Sequence, residues 1–276
     1  MTAIVQVCAY LLLLQTLSTI LGKYVYVSER MTWNDAQSYC REFYTDLAPA
    51  VNDEELRKLR EISNYAFSFW TGLVKGDTDQ NKWMWSGGGE ASAILWGIGQ
   101  PDDQTNEDAG LMVNYRIYNA NRLHLHPFFC FDAIVVRERA SWEEALEHCR
   151  EIHSDLASVT SQTDMLLIQA ELDKSPFTEH VWVGLRFFPG GWRWTDKEQL
   201  TYEVWTGAER PLCPAARHNC GTLKVMGWMP SDDIDTSDIL GTNDTLVGVS
   251  LGRTDFWQES EWEVHDCEQR LYFVCY

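Results

Sequence analysis

The stretch Glu29-Arg30-Met31-Thr32-Trp33-Asn34-Asp35-Ala36-Gln37-Ser38-Tyr39-Cys40-Arg41-Glu42 returns 109 positions later. There the chain again carries Glu138-Arg139, Trp142, Ala145 and Cys149-Arg150-Glu151, and Asp46-Leu47 is repeated as Asp155-Leu156. Trp70-Thr71-Gly72-Leu73 then meets Trp182-Val183-Gly184-Leu185 at an offset of 112, and Trp83, Trp85 and Trp96 return to 109 against Trp192, Trp194 and Trp205. A three-residue insertion is therefore cancelled by a shorter turn. Copies of this length each own a core, so they read as two domains and not as turns of a solenoid.

Working outward, Cys130 closes the first copy and Ile134-Val135-Val136 opens the second. The boundary falls near Phe131 and Asp132, with almost no linker, so the domains are expected to lie close together. This gives a first domain at 23–131 and a second at 132–276. From Trp96 to Cys130 the first copy takes 34 steps, and from Trp205 to Cys275 the second takes 70. The extra residues form one late insertion, about 226–260. Before the first domain, residues 3–21 carry no charge and contain the apolar run Tyr10 to Leu14. We read residues 1–22 as a cleaved signal peptide rather than an anchor, because Lys23 and a strand-like Tyr24-Val25-Tyr26-Val27 follow at once. The mature chain is then expected to be secreted, with no membrane span.

The composition agrees with that compartment. The 276 residues are 45% hydrophobic and include 13 Trp and 8 Cys, which excludes disorder and points to packed cores in an oxidising environment. A net charge of -19 repels phosphate backbones and anionic lipid, so nucleic acid is excluded as a partner.

Periodicity predicts an α+β fold in each copy, with helices early and strands late. A helix carries Trp33, Ala36, Tyr39, Cys40 and Phe43 on one face. A second starts at Asn52, where Glu55 can reach back as a capping box ahead of the stripe Leu56, Leu59 and Ile62, and Ser161 with Asp164 repeats the arrangement. From Trp70 onward short aromatic strands alternate with turns such as Gly87-Gly88-Gly89 and Pro189-Gly190-Gly191.

A Cys on the first helix, the Trp-x-Gly-Leu strand, a Trp-x-Trp hairpin and the closing Phe128-Phe129-Cys130 or Tyr272-Phe273-Val274-Cys275 together resemble the C-type lectin-like domain. The resemblance covers both copies. It implies two tandem domains, each with two helices, antiparallel sheets and a long loop region that carries ligands. It also implies disulfides Cys40–Cys130 and Cys149–Cys275, each worth about 4 to 5 kcal/mol before strain in the chain-entropy model. The family's second disulfide is implied for the second copy as Cys220–Cys267, whereas the first copy has Ala109 and Arg122 at those positions. Cys213 is left over, as an intermolecular thiol, a buried free thiol or an alternative partner for Cys267.

The resemblance extends to a calcium loop. Trp96-Gly97-Ile98-Gly99-Gln100-Pro101-Asp102 followed by Glu107 resembles the family's metal motif, with Gln100, Asp102 and Glu107 as oxygen ligands and a cis bond at Pro101. In the family Gln-Pro-Asp goes with galactose-type sugars. Two departures stand out. The expected Trp-Asn-Asp is Ile117-Tyr118-Asn119, where only Asn119 offers a side-chain oxygen of the expected kind, and Asp103 to Asn106 supply no aromatic ring. The second copy reads Glu209-Arg210-Pro211, with His218-Asn219 and Trp262-Glu263-Val264 in place of the other ligands, so no sugar-linked calcium is expected there. Its insertion holds the acidic stretch Asp232-Asp233-Ile234-Asp235 and a glycosylation sequon at Asn243.

His124 and His126 alternate as on one strand face, but no third ligand at a suitable spacing completes a zinc site. Nothing resembles a nucleophile elbow, a phosphate loop or paired catalytic carboxylates, so an enzyme is not expected. Two function classes remain. One is a secreted lectin whose first domain binds a glycan or glycoprotein through calcium, and the other is a calcium-independent module that recognises a protein through its loops and second-domain insertion.

Overall fold

The computed structural model describes residues 20–50, 52–63, 66–76, 82–91, 93–102, 106–174, 180–212, 217–225 and 260–276. Residues 1–19 of the stretch read as a signal peptide, Cys213, Asn243 and the expected insertion with its acidic stretch lie outside these residues. Helices early and strands late give an α+β fold built twice in tandem.

The first half runs β1 (Ile20–Leu21), β2 (Tyr24–Met31), α1 (Trp33–Phe43), β3 (Asp46–Leu47), α2 (Asp53–Ile62), β4 (Ser68–Lys75), β5 (Trp83–Trp85), β6 (Ala109–Val113), β7 (Arg116–Ala120) and β8 (His126–Phe131). The second runs β9 (Ile134–Ala140), α3 (Trp142–Ile152), α4 (Gln162–Leu172), β10 (His180–Phe188), β11 (Gly191–Trp194), a short 3-10 turn, β12 (His218–Lys224), β13 (Glu261–Asp266) and β14 (Leu271–Cys275). One sheet has the order β1-β2-β8-β4-β6-β7, with β3 on β8 and β5 on β4. The other has the order β13-β12-β10-β14-β9, with β11 on β10.

The sheets are not wholly antiparallel. The last strand of each domain lies between its first strand and the Trp-x-Gly-Leu strand, which makes β4/β8 and β10/β14 parallel. A parallel pair needs a long crossover, and here the entire loop region supplies it.

The repeated residues are repeated for structural reasons. Trp33 Nε1 donates to Thr71 O and Trp70 Nε1 to Met31 O, at 2.9 and 3.0 Å. Trp142 Nε1 donates to Val183 O and Trp182 Nε1 to Ala140 O, at 3.0 and 2.9 Å. In each pair the helix indole ties the first helix to the central strand, the strand indole ties that strand to the end of the domain's first strand, and both of these buried N–H groups find a carbonyl. The motif glycine is required by close approach: a Cβ on Gly72 would stand 2.7 Å from Leu47 O, and one on Gly184 2.7 Å from Leu156 O.

Disulfides join Cys40 to Cys130, Cys149 to Cys275 and Cys220 to Cys267. On α1, Trp33, Ala36 and Cys40 are buried, but Phe43 is 60% exposed. The apolar face expected of that helix ends a turn earlier, and the Phe43 ring lies 4.8 Å from that of half-buried Tyr39, outside the core.

Only Asp132 and Ala133 separate β8 from β9. One apolar cluster runs through both halves, bringing Leu56, Leu59 and Phe131 together with Met165, Leu167, Ile168 and Tyr276. A Cβ on Gly87 would come 2.1 Å from Leu167 Cδ2, so this turn glycine also lets the domains approach.

At the seam lies a buried polar group. Asn52 and Ser161 cap their helices as expected, accepting from the backbone N–H of Glu55 and Asp164. The carboxylates of those two residues meet on the Lys23 ammonium, each at 2.9 Å, with Lys23 6% exposed. Burial by itself would lower the Lys23 pKa, but Asp164 and Glu55 outweigh it and hold the group well above the ordinary lysine value. The reciprocal capping box occurs instead on α3, between Ser141 and Glu144.

Candidate functional site

Trp96 anchors the loop that precedes the candidate site. It bridges to Ile117 on β7, with Gly97 N–H donating to Ile117 O at 2.8 Å and Ile117 N–H to Leu95 O at 2.9 Å. The chain then turns through Gly99, at φ +80°, into the cis Gln100-Pro101 bond. This brings Gln100 and Asp102 alongside Asn119, which lies 19 and 17 residues farther on and is 5% exposed.

The four residues predicted from sequence converge. Gln100 Oε1 accepts from the Asn119 backbone N–H at 3.0 Å, and the Asp102 N–H donates to Asn119 Oδ1 at 3.3 Å. The Asn119 amide Nδ2 donates to both Asp102 Oδ1 and Glu107 Oε2 at 3.1 Å. Burial and the neighbouring Asp102 carboxylate push the Glu107 pKa up. Two carboxylates held this close repel one another, and a shared donor or a shared cation relieves that.

The donor set fits a hard divalent ion. Gln100, Asp102, Glu107 and Asn119 offer amide and carboxylate oxygens, the ligand chemistry of calcium, and an amide that now presents its NH2 can present its oxygen after rotation. Calcium takes six to eight oxygens, which leaves positions for water or for hydroxyls of a ligand. The neighbouring Ile98 side chain is fully exposed on the same loop.

Among the described residues of the second domain the equivalent positions do not converge in this way. Arg210 pairs with Glu203, its Nε donating to Oε2 at 2.7 Å, and Trp205 Nε1 donates to the same oxygen at 2.7 Å. Val264 occupies the strand position equivalent to Asn119, as the matching bridges Trp96–Ile117 and Trp205–Trp262 show. Pro211 and Val264 therefore stand where the first domain has Asp102 and Asn119, and the Arg210 guanidinium lies beside them in place of Pro101.

The position of the missing disulfide is also visible. Ala109 and Arg122 occupy the sites of Cys220 and Cys267, because Ala109 pairs with Val74 as Cys220 pairs with Arg186, and the carbonyls of Arg122 and Cys267 accept from Trp33 and Trp142. Arg122 Nε instead lies 2.8 Å from Asp108 Oδ2, and its guanidinium is 5.9 Å from the Trp33 ring.

The two histidines considered from sequence do not share a strand face. His124 lies in the turn before β8 and is exposed, while His126 begins the strand and its Nδ1 is 3.0 Å from Ser68 Oγ. Among the described residues one group could hold a metal through three His, Cys, Asp or Glu side chains, and it consists of His180, Glu263 and His265. Sequence reasoning missed it because 83 residues separate His180 from Glu263. The one local signal is Glu263-Val264-His265, a spacing that puts two donors on one side of a strand.

The family model described as Lectin C-type domain matches residues 29–131 and 138–238. Human lymphocyte antigen 75 is 22% identical over 89% of this chain and 14% of its own length. Rabbit (Oryctolagus cuniculus) E-selectin is 35% identical over 36% of this chain and 18% of its own length. The chain thus spans less than a fifth of these curated relatives. Among solved structures, the mouse scavenger receptor C-type lectin carbohydrate-recognition domain aligns at 21% identity and a TM-score of 0.37, covering 41% of this chain and 92% of that one.

Proposed function

The chain belongs to the C-type lectin domain family, whose members are recognition modules and not generally enzymes, and from that premise we propose that it is a secreted glycan-binding protein whose first domain takes a galactose-type sugar through calcium. The observation that carries this reading is the convergence of Gln100, Asp102, Glu107 and Asn119 on one another across the loop and β7. Calcium held there supplies a charge on which vicinal sugar hydroxyls complete the coordination shell. Gln100, Asp102, Glu107 and Asn119 would hold the ion and the hydroxyls on it, and the exposed Ile98 side chain would offer an apolar contact in place of a ring.

The second domain contributes no calcium site in this reading, since the Arg210–Glu203 pair already neutralises its loop. It instead presents a surface for a protein or a glycoprotein. Secretion is supported by the three disulfides, which belong to an oxidising compartment. No helix of the described residues is long and apolar enough to cross a membrane.

A glycan array probed with calcium and again with chelator tests the proposal. Calcium-dependent retention on galactose-terminated glycans, lost in Asp102→Ala and weakened in Glu107→Gln, is the expected result. Equal silence in both arms, with no calcium heat by calorimetry, overturns it in favour of the calcium-independent protein module.

A further inference from the structure

We propose that His180, Glu263 and His265 form a binding site for a divalent transition-metal ion in the second domain, separate from the calcium loop of the first. Glu263 and His265 lie two residues apart on β13 and share one face of the sheet, while Trp262 and Val264 pack on the other, toward the shared core. β13 pairs with β12, which pairs with the start of β10, so His180 arrives on that same face from two strands away. The site is therefore on the opposite side of the sheet from Val264, the counterpart of Asn119.

The ligand atoms are already gathered. His180 Nε2 is 2.8 Å and His265 Nε2 3.5 Å from the same oxygen, Glu263 Oε2, and all three atoms lie within 4.8 Å of one another. A tetrahedral zinc ion with bonds of about 2.0–2.1 Å has ligand atoms about 3.3 Å apart, so small side-chain adjustments accommodate one. The two imidazole rings lie 4.4 Å apart, and the three side chains are partly exposed, at 13%, 22% and 19% for His180, Glu263 and His265. This leaves the cluster an access path and room for a water as fourth ligand.

The surroundings orient the donors. His265 Nδ1 lies 2.9 Å from Gln269 Oε1, an oxygen that can only accept, so a proton held on Nδ1 leaves Nε2 free to ligate on the Glu263 side. Lys224 Nζ and Thr206 Oγ1 each lie 3.2 Å from Glu263 Oε1, occupying the carboxylate oxygen that the metal does not need. Two imidazoles and one carboxylate select zinc, copper, nickel or iron over calcium, because nitrogen donors suit the softer ions.

Zinc is the probe. The full disulfide-bonded chain, stripped with chelator and dialysed, is titrated with zinc by calorimetry and with cobalt by visible absorption. The expected result is one zinc per chain, a cobalt d–d band that zinc erases, and no competition from calcium. His180→Ala with His265→Ala should abolish both signals, and Gln269→Ala should weaken zinc by roughly 10- to 100-fold, the usual loss when the group hydrogen-bonded to a ligating imidazole is removed. His124→Asn with His126→Asn serves as a control and should change nothing. If the double alanine variant is unstable, His265→Gln alone should still lower zinc affinity by at least ~10-fold while the near-UV spectrum stays native. Zinc binding that is absent, or equally strong after loss of His180 and His265, sinks the proposal.

Discussion

The two domains solve one closure problem in two ways. The second ties β12 to the turn after β13 with Cys220–Cys267, while the first holds the equivalent positions by hydrogen bonding and by the Asp108–Arg122 ion pair. The difference reaches the loops. Where the covalent tie exists, the adjoining polar site is an internally neutralised Glu203–Arg210 pair, and where it is absent, two carboxylates crowd a single amide. The same frame therefore carries an oxygen-rich loop with two adjacent carboxylates in one copy and a loop whose charges pair internally in the other. What the copies share at their seam is equally informative: the third residue of each second helix, Glu55 and Asp164, turns to Lys23.

The largest test addresses that seam. Lys23→Met leaves two buried carboxylates without their counter-charge, and loss of one partner from a buried ion pair costs roughly 3–5 kcal/mol. Denaturant unfolding should show that loss together with separation of one transition into two. An unchanged single transition would mean that the apolar cluster alone couples the domains.

Exchange of the disulfide comes next. Its removal by Cys220→Ala with Cys267→Ala should destabilise the second domain by about 4 kcal/mol, from the chain-entropy relation for 47 residues. Installing it in the first domain by Ala109→Cys with Arg122→Cys should add about 3 kcal/mol for the shorter loop. Thermal scans under oxidising and reducing conditions measure both. If the installed bridge also stiffens the loop, calcium affinity moves with stability; if affinity is unaffected, the loop and the tie are independent.

The smallest expected effect belongs to Asp132 at the junction. Burial, and then Glu171, push its carboxyl up to about 6, against the opposing influence of Lys174. The folded state thus binds this proton more tightly than the unfolded chain, so the group opposes folding above pH 6 and ceases to do so below about pH 4. Asp132→Asn should stabilise the protein at pH 7.5 by on the order of 1–3 kcal/mol and have no effect near pH 3.5. A benefit that persists at low pH would assign the effect to something other than charge.

Much of the frame was legible because its constraints are local or repeated. The indoles at 33, 70, 142 and 182 recur because each must satisfy one buried N–H against a backbone carbonyl. The helix caps Asn52 and Ser161 were readable from the chemistry of a helix N-terminus. The carboxylate loop was legible as well, since Gln100, Asp102 and Glu107 are neighbours in sequence and only Asn119 comes from another strand. Phe43 was misread, because periodicity gives the phase of a helix but not where the neighbouring sheet stops covering it.

Sequence alone thus determined the duplication, the α+β class, the starts of the second helix in each copy and the oxygen-rich loop, all of which follow from short-range spacing. The tertiary structure decided what meets across long separations. It sent Glu55 and Asp164 to one buried lysine, put an ion pair where a disulfide is missing, and gathered His180, Glu263 and His265 of β10 and β13 into a cluster of donors. Strand order and register make these choices, and they depend on which faces can be buried together, a property of the whole sheet that no single segment carries.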